Sequence, residues 1–228
     1  MNSLALMRLL QIASPTLPIG GYSHSQGLEA AVDAGLVHDA ASVGQWIADV
    51  FAHSLLTFEV PLFQAMGAAW MQRDADGLAR LNHEFLAARE SAELRSATVQ
   101  MGHSMRELLA VLPEFPVWMH ATLQAMQEPS LPCVWSGAAV AWSIDPADAV
   151  AGYVWSWAEN QVLVAMKTVP IGQAAGQRLL LHVGGIIAET AQHRQWQRAN
   201  DEFLSNFAPG LAILASRHEP QYSRLFRS

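Results

Sequence analysis

Thiols are all but absent from this chain: Cys133 is the only cysteine in 228 residues. No internal disulfide can form, which fits a reducing compartment. Charge is scarce as well. Asp, Glu, Lys and Arg make up 14% of the residues, where about a quarter is usual. Their balance is −7 at pH 7, which disfavours general nucleic-acid or anionic-membrane binding. No uncharged apolar run reaches the ~18 residues of a membrane span. The apolar stretch Met1 to Gln11 has Arg8 as its one basic residue and no small-residue cleavage site after it, so it does not read as a signal peptide. The expectation is a soluble cytoplasmic protein. Alternating strand patterns, internal repeats and low-complexity linkers are missing too.

The chemical motifs of common enzymes are missing in the same way. There is no G-x-x-x-x-G-K-[ST], and Gly184-Gly185 has no lysine beside it, so nucleotide hydrolysis by this chain is not expected. Nine histidines are scattered without an H-x-x-x-H or H-E-x-x-H spacing, and Cys133 has no partner thiol. Glu189 and His193 are four apart, but as an isolated pair they read as a helix contact rather than a ligand set. Ser25 lacks the leading glycine of a nucleophile elbow. Acidic residues such as Glu90 and Glu93 read as solvated helix faces. The residues therefore point to a binding module: not an enzyme, with no catalytic group, metal site or cofactor.

What the chain does have is apolar mass. Hydrophobic residues make up 51%, with eight Trp and nine Met. Either a large core absorbs them or part of that surface faces a partner. Helical periodicity dominates. Val43, Trp46, Ile47, Val50, Phe51 and Leu55 follow the i, i+3, i+4, i+7 rule. Asp39, Asp74 and Ser91 stand at helix starts, and Asp145-Pro146 pairs an N-cap with a proline at N1. Pro61 suits the first turn of a helix that runs to about Gln72. The segment from Asp145 to about Thr168 is apolar nearly all round, which predicts a central, buried helix. Further helices are expected from Gln173 to Arg194 and from Glu202 to Ala215. The spacing predicts an all-α fold: a single irregular helical bundle of about ten helices spanning residues 1–228, with 218–228 a flexible C-terminal tail.

Two stretches stand apart from this periodicity. Ser14 to Glu29 is dense in shape-fixing residues: Pro15, Pro18, Gly20 and Gly21, then Tyr22 and His24. Ser23 and Gln26 fit a capping box, so a helix is expected to begin there and stop near Gly35. Such a start could hold an anion on free N–H groups, or it is a structural elbow, which spacing alone favours. The tail sets Tyr222, Leu225 and Phe226 among Arg217, Arg224 and Arg227, the residue types of interface hot spots. It is either a frayed end or a peptide that orders on a partner. Gly172-x-x-x-Gly176 would allow close helix packing inside the monomer, with a dimer seam as the second reading.

The run Ser14-Pro15-Thr16-Leu17-Pro18-Ile19-Gly20-Gly21-Tyr22-Ser23-His24-Ser25-Gln26-Gly27-Leu28-Glu29 resembles the N-terminal signature of the urease accessory protein UreF family. Arg89-Glu90-Ser91 through Gln100-Met101-Gly102 resembles that family's middle helix. Lys167-Thr168-Val169-Pro170-Ile171-Gly172-Gln173 with Gly176-Gln177, and Gln221-Tyr222-Ser223-Arg224-Leu225-Phe226, resemble its later motifs in the family's order. The resemblance implies an all-helical homodimer that joins a UreD/UreH-type accessory protein and the UreG-type GTPase on apo-urease. There it would support GTP-dependent nickel insertion and regulate the GTPase. The alternative is a metallochaperone that carries nickel itself. By motif match, Tyr22, His24, Lys167, Gln173, Tyr222, Arg224, Leu225 and Phe226 are the implied partner-binding residues.

Overall fold

The computed structural model describes residues 2–192 and 204–228. Among the described residues the chain is all-α, with no strand. In order these are α1 (Ser3–Ala13), a 3₁₀ turn at Gly21–Ser23, α2 (Leu28–Asp33), α3 (Ala40–Val50), a π-helical stretch (Phe51–Glu59), α4 (Val60–Gln72), α5 (Ala75–Ala87) and α6 (Ala92–Ala110). There follow α7 (Val117–Ala125), α8 (Leu131–Ala141), α9 (Pro146–Thr168), α10 (Gln173–Gln192) and α11 (Pro209–His218). With α3, the π stretch and α4 counted as the one continuous helix they form, there are ten α-helices among the described residues.

The helix starts follow the caps. Asp39 accepts from the Ser42 amide at 2.8 Å while the Ser42 hydroxyl accepts from the Asp39 amide at 3.0 Å, a reciprocal capping box. Asp74, Ser91 and Asp145 cap α5, α6 and α9 by accepting from Gly77, Leu94 and Ala147. Gly35, at φ 73°, ends α2 with the backward bonds of a left-handed cap.

The helix Asp145 starts is the hub. α9 packs against α1, α2, α3, α4, α8 and α10, so it is enclosed on nearly every side and buries Val150, Tyr153, Val154, Ala158, Val162 and Ala165. Aromatic rings fill the space between it and its neighbours. Phe63 stacks on Tyr153 with centroids 4.8 Å apart, and Trp135 meets Tyr153 edge-on at 5.8 Å. Trp70 donates its indole N–H to the Cys133 carbonyl at 2.9 Å, which satisfies the one polar atom of a ring that is otherwise fully buried.

Pro61 does not begin a separate helix. The helix runs through it without a break from Ala40 to Gln72. A proline has no N–H to give and its ring crowds the carbonyl four residues back, here that of Thr57. The nine-residue π stretch just before it widens the helix at that point. The Thr57 carbonyl is taken up instead by the Ser205 amide at 3.3 Å, and the Thr57 hydroxyl donates to the Ser205 carbonyl at 2.8 Å. Asn206 continues the seam, accepting from Ser54 and donating to the Ala88 carbonyl and to Glu90. By length and composition this long helix could cross a membrane, but more than half of its most apolar window is buried within the protein, as in a core helix.

Two further helices differ in their bounds. The second helix begins at Leu28, not Ser23. The last helix runs from Pro209 to His218 rather than from Glu202 to Ala215, because residues 204–208 are not helical; Glu202 lies outside the described residues, as do His193 and Arg194. Of the two glycines after Pro170, Gly176 makes the close approach, a Cβ there meeting Met166 at 2.5 Å, while Gly172 stands in open space. That contact lies within the monomer.

Candidate functional site

The Ser14–Glu29 stretch forms a loop whose shape comes from backbone that few residues adopt. Gly20 lies at φ 78°, and Gln26 and Gly27 follow at 53° and 88°. These two consecutive left-handed residues turn the chain between Ser25 and Leu28, so the Ser23–Gln26 capping box does not form and Gly27 stands at the N-cap of α2. Two side-chain amides of α9 pin the loop from below. Asn160 donates to the His24 carbonyl at 2.9 Å, and Gln161 donates to the Ser25 carbonyl at 3.2 Å.

The C-terminal segment closes the loop from above. The amides of Ser25 and Gln26 donate to the Ser228 carbonyl oxygen at 2.5 and 2.9 Å, and the Arg227 amide donates to the Ser23 carbonyl at 2.8 Å. The Ser25 hydroxyl also donates to Ser228. The loop N–H groups that an anion would need are thus taken by the chain itself. His24 is buried, with Nδ1 3.1 Å from the Ser228 hydroxyl.

Glu29 and Glu93 organise the rest of the junction. Glu29, on α2, accepts from the backbone amides of Leu225 at 2.6 Å and Phe226 at 3.0 Å. His218, 0% exposed at the end of α11, sits between two carboxylates: its Nε2 is 3.1 Å from Glu29 and its Nδ1 2.6 Å from Glu93. Glu93 also accepts from Arg224 at 2.6 Å. Three segments distant in sequence are therefore held by one set of bonds to carboxylates, a class stronger than neutral hydrogen bonds.

Behind the loop lies a partly enclosed cleft of about 70 Å³, lined in part by Tyr22, Gln26, Glu59, Tyr153 and Asn160. Glu59, from the π stretch, pairs with Arg89 at 3.2 Å and accepts from the Tyr153 hydroxyl at 2.5 Å. Arg89 in turn lies over the Phe85 ring at 4.2 Å. Burial, together with Glu59, raises the Tyr153 hydroxyl well above its usual range. Burial and then the Glu159 carboxylate raise that of Tyr22. Both phenols stay protonated and donate, so they brace this wall.

Of the residues singled out from the sequence, the structure gathers six. Tyr22 donates to Glu159 at 3.2 Å; His24, Arg224, Leu225 and Phe226 make the contacts above; and the Lys167 ammonium lies 5.4 Å from the centroid of the Phe226 ring. Phe226 is 6% exposed and acts as the plug, whereas Leu225 is 73% exposed. Tyr222 extends fully into solvent. Gln173 is exposed at the first position of α10, away from these bonds. Glu29, Glu93 and His218 were not singled out, and Glu90 and Glu93 are not solvated faces: each accepts from partners brought by the later chain. A lone glutamate and a lone histidine 189 positions apart carry no local spacing signal. Among the described residues no group of three His, Cys, Asp or Glu is disposed to hold a metal ion.

The junction has a built-in acid sensitivity. Burial, and then the nearby Arg227 guanidinium, lower the His24 imidazole from 6.5 to about 4. The folded state therefore prefers neutral His24, whereas the unfolded chain protonates it below 6.5. Its contribution to stability is complete above pH 6.5 and is lost as pH falls toward 4. Thermal unfolding of the wild type is expected to fall more steeply over that window than that of His24→Gln; identical slopes would remove His24 as the cause.

Comparison with known proteins identifies the family. The UreF family model matches residues 37–184. Over nearly the full length the chain is 54% identical to the "Urease accessory protein UreF" of Dechloromonas aromatica (strain RCB), covering 99% of this chain and 98% of that protein. It is 50% identical to the protein of that name from Azoarcus sp. (strain BH72), covering 99% and 96%. With that of Janthinobacterium sp. (strain Marseille) it shares 46% over the whole of both chains. The family model begins after the Ser14–Glu29 loop and ends before the tail, but these relatives span both, and on their likeness together with the matched core the chain belongs to the UreF family.

Proposed function

We propose that this chain is a urease maturation factor, a non-enzymatic cytoplasmic scaffold that acts as a homodimer. In this reading it joins a UreD/UreH-type accessory protein and the UreG-type GTPase on apo-urease, supports GTP-dependent nickel insertion and regulates the GTPase. The observation that carries the reading is full-length similarity to proteins named urease accessory protein UreF. The geometry supports it in a specific place. The loop–tail junction presents Tyr222 and Leu225 outward while the amides of Leu225 and Phe226 are anchored on Glu29, which leaves an exposed tyrosine, a residue type enriched at hot spots, beside an exposed apolar side chain. Leu4, Met7 and Leu10 on one side of α1 are also more than half exposed and support the homodimer.

The test is co-expression with apo-urease, the UreD-type protein and the UreG-type GTPase, with pull-down on this chain and nickel assayed in urease. Capture of both accessory partners, with nickel loading that depends on this chain, is expected. Tyr222→Ala with Leu225→Ala should leave helix content and thermal stability unchanged and weaken capture about tenfold or more, the scale of a lost hot spot. No capture by the wild type, and no effect on nickel, would overturn the scaffold reading. Stoichiometric, tight nickel on the isolated protein in equilibrium dialysis would favour the metallochaperone instead.

A further inference from the structure

Lysine occurs once in this chain, at 167, against twelve arginines. Its position is unusual in three respects. It ends the central helix α9, where it sits in the last turn. Its ammonium lies 5.4 Å from the centre of the Phe226 ring, a cation–π distance that holds the side chain beside the plug of the tail, and the residue as a whole is exposed. It also lines an open groove with Tyr22, Ser23, Leu225 and Arg227. Neither Lys167 nor Arg227 has a carboxylate within ion-pair distance among the described residues, whereas Arg224, two residues from the plug, is held by Glu93. The Tyr22 hydroxyl on the groove wall is committed to Glu159.

Two exposed cations therefore flank one groove, in a protein whose net charge is −7. The groove holds about 580 Å³, room for several side chains, and exposed Leu225 supplies an apolar rim. Because the tail's backbone is pinned to Ser23 and Glu29, the base of this groove is preorganised, and little ordering cost falls on binding. A small, strongly hydrated ammonium beside a guanidinium suits a carboxylate rather than an apolar anchor. We infer that the Lys167–Arg227 groove receives an acidic side chain, Asp or Glu, from a partner protein, with an apolar neighbour of that residue resting on Leu225. This rests on the scaffold reading above and names the chemistry of the partner's matching surface.

The single lysine makes the inference directly testable. Capture of the UreD-type protein and the UreG-type GTPase is compared for the wild type, Lys167→Gln, Arg227→Gln and the double variant, over a salt series. Both side chains are exposed, and circular dichroism with thermal unfolding checks that the variants fold as the wild type does. The double variant is expected to bind at least about tenfold more weakly, with a flatter salt dependence, because charges at an interface rim act through long-range attraction. A carbodiimide, which joins an amine to a carboxylate, should link Lys167 to an Asp or Glu of one partner, and excess inorganic phosphate should not block the link. Wild-type capture matched by the double variant at every salt concentration would overturn this inference alone. Loss of the link with excess inorganic phosphate would show a phosphate site instead and would also overturn it. Failure of the wild type to capture either protein would overturn the scaffold reading and the inference together.

Discussion

Gly102→Ala should cost this protein a large share of its stability, although helix propensity alone says the reverse. Gly102 lies inside α6, where alanine normally gains about 1 kcal/mol over glycine. Here a Cβ would fall on the Pro129 carbonyl oxygen, with the Pro129 and Ser130 carbonyl carbons also closer than 3.0 Å. These are backbone atoms, so no side chain can swing away. The 129–131 segment cannot retreat either. The Ser130 amide donates to Asn82 at 2.8 Å and the Leu131 amide donates to Thr98 at 3.1 Å. Thr98 is one turn before Gly102 on the same face of α6, so moving the segment off a new Cβ breaks these bonds. A loss of about 3 kcal/mol or more is expected, in the range of severe overpacking. For a chain of this size that is roughly 6–12 °C in Tm. Gly67→Ala is the control. It too is mid-helix, in α4, but no atom lies within 4 Å of its Cβ position. It should stabilise the protein by about 0.5–1 kcal/mol. Equal Tm shifts from the two variants would contradict the close approach at Gly102.

Glu29→Ala should release the tail without unfolding the bundle. Its carboxylate accepts from the Leu225 and Phe226 amides and lies 3.1 Å from His218 Nε2, at a junction where Glu29, Phe226 and His218 are buried. Removing it leaves the buried Phe226 amide and the part-buried Leu225 amide without their acceptor and His218 without that partner, at about 1–3 kcal/mol for each buried unsatisfied group. The tail can recover part of this by leaving the surface and meeting water. The expected outcome is therefore local: amide hydrogen exchange at Leu225 and Phe226 accelerates at least about a hundredfold, matching about 3 kcal/mol, while far-UV helix content stays within a few per cent. Partner capture should weaken as well, because Tyr222, Leu225 and the Lys167–Arg227 groove lose their rigid base. Glu29→Gln keeps one oxygen acceptor and should lie between. Unchanged exchange at 225 and 226 in the alanine variant would show that Phe226 packing, not the carboxylate, holds the tail.

Much of this arrangement was legible from local pattern. Asp39, Asp74, Ser91 and Asp145 mark helix starts because a cap is satisfied by amides two or three residues on, within the same few residues of sequence. The enclosed character of α9 was legible for a related reason: apolar residues all round a helix require neighbours all round it. Of the eight residues implied by the resemblance, six lie together at the loop and tail, while Tyr222 and Gln173 stand outside that set of contacts. Local pattern misled where a residue's partner is remote. Ser23 and Gln26 have the spacing of a capping box, yet the Ser25 and Gln26 amides bond to Ser228. Glu93 has the look of a solvated first-turn acid, yet it holds His218 and Arg224.

The sequence by itself determined the all-α class, most helix boundaries and the family, since each depends on periodicity, on caps or on motif order along the chain. Only the tertiary structure decided that Pro61 sits within an unbroken helix, because the Thr57 carbonyl it strands is satisfied by Ser205 from the far end of the chain. Only it decided that Gly102 must stay glycine while Gly67 need not, since that depends on which backbone crosses the helix rather than on the helix itself. And only it joined Glu29, Glu93, His218 and Phe226 into one junction, because hydrogen bonds between residues more than a hundred positions apart leave no period in the sequence.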